Sequence, residues 1–217
     1  MFYVSYFFEC AALLAGFVLL SRLQHFFLEA LIILLLITVI NEGCSYFGVY
    51  RTLNFNKNYA YEVFFIIQSV IFYLIFNQAL PLKTHKQIIT AVTICLISFQ
   101  LLALILVGFD KLNPYFLNFV CIHMIFIGFM YYYYVYNTNK IINIYNDPFF
   151  WIATGLVLVN FIHLFFVNAT LIKSFANNPS SKSIFKSLNT FGNILYYSLL
   201  IYAFICSSKF QKGVTTS

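Results

Sequence analysis

Glu9, Glu42, Gln68, Gln100, His123, His163 and Asn193 share one property: each is a polar side chain set within a different long apolar stretch of the chain. In hydrocarbon an unpaired charge or amide costs several kcal/mol, so these few residues carry most of the chemical information. A buried carboxylate beside an imidazole can share a proton and respond to pH or to a cation. Two histidines on consecutive antiparallel segments, His123 and His163, could meet as a hydrogen-bonded pair or ligate a metal or haem. Asn160 stands three residues before His163, so the two share a helix face and extend one polar stripe.

All four glutamates (Glu9, Glu29, Glu42 and Glu62) fall in the first three apolar stretches, whereas Asp110 and Asp147 lie in connectors. Glu29 and Glu62 stand near the ends of their stretches and are expected at the water interface. No GxSxG, Walker-type loop, HExxH or HxxxH pattern occurs, so no catalytic residue is assigned. The five cysteines form no CxxC pair and read as small buried hydrophobes. No cofactor is called for, and the identity of any metal stays open.

Elements must now be found to hold these groups. Of the 217 residues, 62% are hydrophobic and 8% charged, against about 25% charged for an ordinary soluble domain. A membrane-spanning helix needs about 20 apolar residues. By that length the runs near 2–20, 27–50, 60–80, 88–108, 115–136, 149–171 and 187–206 read as seven spans. The expected fold is therefore an all-α integral membrane bundle over residues 1–208 with a short polar tail, 209–217. The first span lacks a basic leader and a small-residue cleavage site, so it reads as retained. Spans and connectors use up the chain, which leaves no room for a kinase, nucleotide-binding or DNA-binding domain. The longest connector, KSFANNPSSKSIFK, reads as polar and flexible.

The formal charge of +6 comes from lysines and arginines placed singly or in pairs at span ends, where they meet lipid phosphates rather than nucleic acid. Arg51, Lys57, Lys111, Lys173, Lys182 and Lys186 fall on the side of the N-terminus, and Arg22, Lys83, Lys86, Lys140, Lys209 and Lys212 on the other. The counts tie, and the closeness of the second group to the membrane favours an N-terminus outside. Asp147-Pro148 should start the sixth helix, with Asp as its cap, Pro in its first turn and Trp151 at the interface. The Tyr131 to Tyr134 run reads as part of an aromatic belt.

At a rise of about 1.5 Å per residue, the seven polar groups fall about 9–13 Å below the N-terminal face. Two readings fit a common depth. Turned inward, the groups would line a polar pocket open to the N-terminal side, with Glu9, Glu42, Gln68, Gln100, His123, Asn160, His163 and Asn193 as ligand-binding residues. Turned to neighbouring helices, they would be interhelical glue.

The strings NDPFFWIATGLVLVNFIHLFF and SLNTFGNILYYSLLIYAFICSSK carry a resemblance. Through Asp147, Pro148, Phe150, Trp151, Gly155, Asn189, Asn193, Ile194, Leu195 and Tyr196, about a third of the chain resembles a group of small seven-helix membrane proteins of Bacteroidota-type bacteria with no assigned activity. Such proteins are often found beside two-component signalling genes. The architecture is also similar to seven-helix sensory modules that precede kinase domains, although no output domain follows here. The resemblance implies a bacterial inner (plasma) membrane and a sensory or accessory role. Microbial rhodopsins fit less well, since no lysine lies midway along the last span. Alkaline-ceramidase-like hydrolases also fit less well, for want of a membrane aspartate and further histidines.

The sequence thus points to a membrane receptor or accessory sensor that binds a small ligand or ion and passes a helix rearrangement to a membrane kinase or other membrane-protein partner. A small transporter, channel or membrane-complex subunit is the alternative. An intramembrane enzyme or an inert scaffold is a weaker third.

Overall fold

Apolar runs of this length bond every backbone group internally when they coil, and the short polar breaks between them end each coil. The computed structural model describes residues 2–20, 26–107, 113–137, 144–171 and 179–214. Among the described residues the chain is helical and has no strand. The helices are α1 (Phe2–Leu19), α2 (Phe26–Tyr46), the single turn α3 (Val49–Thr52), α4 (Lys57–Ala79), α5 (Lys83–Val107), α6 (Pro114–Asn137), α7 (Pro148–Leu171) and α8 (Pro179–Val214). Six of them (α2 and α4 to α8) are long and apolar enough to cross a membrane, and α1 is a shorter apolar helix.

The outer surface agrees with that composition. Large apolar side chains stand out from it, among them Ile105 at 79% exposure and Val18 at 75%. Exposed apolar surface on this scale belongs in lipid rather than in water, so this is a multi-pass membrane protein.

Local chemistry sets the helix starts. Asp147 accepts the backbone N–H of Phe149 at 3.0 Å, and Pro148 opens α7, as the sequence predicts. The Trp151 indole donates to the Tyr145 carbonyl at 3.1 Å. Asn113 caps α6 in the same way, accepting from Tyr115 at 2.9 Å, while its amide donates to the Ala103 carbonyl of α5 at 2.8 Å. Three expectations shift. The second span ends at Tyr46, and Gly48, at a φ of 71°, turns the chain into α3. Helix α8 begins at Pro179, so the second half of the connector expected to be flexible is helical, and only 172–178 lie outside the described residues. The same helix runs on to Val214, into the stretch read as a polar tail.

Packing closes a ring. Helix α1 lies against α2 and α8, α2 against α4, α4 against α6, α6 against α7, and α7 against α8. Helix α5 packs on α4 and α6 from outside that ring. Close approach of α6 and α7 requires glycine at 128, where a Cβ would sit 2.5 Å from Val157 Cγ2 and 3.2 Å from the Ala153 carbonyl oxygen. Hydroxyls and amides tie neighbouring helices: Tyr73 to Thr90 at 3.0 Å, Tyr132 to Thr154 at 2.9 Å, and Asn118 with Asn168 at 3.1 and 3.3 Å.

Candidate functional site

Inside the ring, toward the start of α1, the helices leave a cavity of about 130 Å³. Helix α1 supplies Glu9, and α2 supplies Glu42 together with Thr38 one turn earlier. Helix α4 presents Tyr61 and Gln68, two turns apart on one face, with Phe64 and Phe65 between them. Helix α7 presents Asn160 and His163, and α8 presents Asn193, Tyr196 and Tyr197. Leu31, Leu34, Leu35 and Val159 complete the wall, so a polar arc faces an apolar one.

A second space of about 320 Å³ shares Glu9, Glu42, Tyr61 and Asn193 with this cavity and adds Ser5, Tyr6, Lys186, Asn189 and Thr190. Those five lie in the first third of α1 and of α8. The two spaces form an inner chamber and a vestibule on the side of the chain's N-terminus.

The carboxylates sit where chamber and vestibule join. Glu9 is only 5% exposed, and its Oε2 has no hydrogen-bond partner among the described residues. The Tyr197 side chain lies against the same carboxyl group, and Glu42 is near enough to repel it. Glu42 Oε2 accepts the Tyr61 hydroxyl at 3.2 Å. The Asn160 amide donates to the Leu156 carbonyl at 2.8 Å, and His163 has Asn189 of the vestibule beside it.

Glu9, Glu42, Gln68, Asn160, His163 and Asn193 are thus brought to one cavity, and two residues expected with them are not. His123 is fully buried between α5 and α6, its Nε2 2.9 Å from Thr93 Oγ1. Gln100, also fully buried, reaches from α5 to Ser69 of α4 at 3.5 Å. Both owe their position to α5 lying outside the ring: they have the right depth and the wrong direction. The two histidines therefore form no pair, and among the described residues no three His, Cys, Asp or Glu side chains gather as metal ligands. Glu62, expected at the interface, is fully buried, while Glu29 is exposed.

The hydroxyl groups of the cavity were not anticipated. Helical spacing could have found them: Thr38 is four residues before Glu42, Tyr61 seven before Gln68, and Tyr197 four after Asn193. Comparison with known protein families, with curated proteins and with solved structures finds no match for this chain.

Proposed function

We propose that the protein is a seven-span membrane receptor or accessory sensor, in which a small ligand or ion enters the cavity from the N-terminal side. Occupancy shifts how α1, α2 and α8 pack, and a membrane-protein partner, such as a membrane kinase, reads the shift. The observation that carries this reading is the chamber and vestibule around Glu9 and Glu42, polar on one arc, with the vestibule on the side of the chain's N-terminus. On the far side of the chamber the ring is filled by Phe72, Ile75, Phe76 and Met124, each at most 1% exposed. A receptor needs one open face, whereas a transporter needs a way out at the other.

Two experiments test the reading. Reporter fusions after Lys140 and after Lys212 should both read cytoplasmic, as seven spans with the N-terminus outside require. Opposite locations for the two would break the seven-span arrangement. The purified protein should bind a small solute saturably and carry a stoichiometric membrane-protein partner out of its own membrane. Solute flux through proteoliposomes holding this chain alone would replace the receptor by a transporter or channel.

A further inference from the structure

We propose that the cavity takes a small organic ammonium ion, with its charged head between Glu9 and Glu42 and its short apolar tail against Leu31, Leu35 and Phe65. The inference rests on the cavity being the binding site of the proposed function, and it names the class of ligand.

Charge comes first. Two carboxylates share the neck of a chamber enclosed by apolar helices, and among the described residues no lysine or arginine lines that chamber. Among the described residues Lys186, which is exposed, lines only the vestibule. Buried carboxylates without a counter-charge are costly, and a ligand that brings the missing positive charge recovers that cost. Glu9 Oε2, buried and without a partner among the described residues, stands ready as the acceptor.

Donor count and shape then select among cations. A hard divalent ion takes about six to eight oxygen ligands, and this neck offers two carboxylates on separate helices; among the described residues no third acidic or imidazole side chain gathers with them as a metal ligand. A primary ammonium has three N–H donors, which two carboxylates and one hydroxyl or amide oxygen can accept. The tyrosine and phenylalanine rings around the neck suit a weakly hydrated organic cation. Beyond the carboxylates one arc of the wall is leucine and phenylalanine, a surface that receives a hydrocarbon tail, and an inorganic ion has no use for it. The inner chamber, about 130 Å³, is close to the roughly 150 Å³ cavity that admits benzene.

The test uses the full chain, purified in nanodiscs, with three probes followed by thermal shift and calorimetric titration. Benzylammonium carries head and tail, benzyl alcohol has the same shape without the charge, and potassium chloride has charge without the tail. Benzylammonium should stabilise the protein saturably and bind at least about tenfold more tightly than benzyl alcohol, with no comparable response to potassium. Glu9→Gln should remove that preference, and Glu42→Gln, whose partner Tyr61 can still donate to the amide oxygen, should weaken it independently if the first variant folds poorly. Equal binding of the alcohol, or a response to potassium alone, would overturn the ammonium assignment and leave a cavity that binds something else. Silence toward all three probes would likewise overturn the ammonium assignment, and together with failure to recover any partner it would remove the receptor reading as well.

Discussion

Phe76→Ala should lower the stability of the bundle by about 3 kcal/mol. Phe76 is fully buried near the end of α4, and its ring meets Tyr131 of α6 edge-on, with centroids 5.5 Å apart at 68°. Tyr131 in turn packs on Phe149 at 6.1 Å and donates its hydroxyl to the Asp147 carboxylate at the head of α7. Truncating one ring therefore opens a hole beneath the junction of three helices. The loss comes from forfeited contacts and the cavity left behind, because lipid is as apolar as the core, and this places the value at the low end of the range for buried phenylalanines. Phe7→Ala removes the same atoms from a residue that is 66% exposed on α1 and should change stability by no more than about 0.5 kcal/mol. Reversible unfolding in mixed micelles measures both. Equal losses for the two would mean that Phe76 is not packed between α4 and α6.

The same contrast shows why some features were legible in the sequence and others were not. Runs of about 20 apolar residues specify a spanning helix by length alone, so the segments could be read without any knowledge of their neighbours. Start signals were legible where a short-range cap exists, as at Asp147-Pro148. Helix ends were less so: nothing local distinguishes the polar residues around Lys182 and Lys186 from a loop, yet α8 already includes them. Depth in the membrane follows from counting residues, and of the seven residues that this one coordinate grouped, Glu9, Glu42, Gln68, His163 and Asn193 line one cavity, together with Asn160, which its spacing from His163 added. Direction around the helix axis does not follow from counting. It depends on which helices are neighbours, and α5 lies outside the ring, which turned Gln100 and His123 to Ser69 and Thr93 instead. Glu62 shows the same limit from the other side, since its nearness to a helix end said nothing about the packing that buries it.

The two sequence-based readings of the polar layer, pocket and glue, turn out to describe different helices of one bundle. Where polar residues face a neighbour directly, as Thr93 faces His123, they hold helices together at 2.9 Å. Around the chamber they face an opening, and a carboxylate oxygen is left without a partner. Helix α4 serves both regions, with Gln68 at the chamber and Ser69 beside Gln100, so a change in the chamber has a packed route to α5.

Thr38→Phe should abolish solute binding while raising the stability of the empty protein. Thr38 lines the chamber one turn before Glu42, and its hydroxyl donates only to the Leu34 carbonyl of its own helix at 2.8 Å. Its removal thus strands no partner elsewhere, and a backbone carbonyl within a helix keeps its helical bond. A phenylalanine at this place adds a ring to the chamber that Leu34 and Phe64 also line, and filling such a cavity is worth about 0.5–2 kcal/mol. Both carboxylates stay where they were, so the variant separates occupied volume from charge: it keeps the electrostatics of the neck and denies the ligand its room. Thermal unfolding in nanodiscs should show a higher midpoint without solute and no further rise on titration, with apparent affinity down by at least about a hundredfold, or 2.7 kcal/mol. A lowered midpoint with the solute response intact would put residue 38 against a neighbouring helix rather than the chamber, and the binding site would have to be sought elsewhere in the bundle.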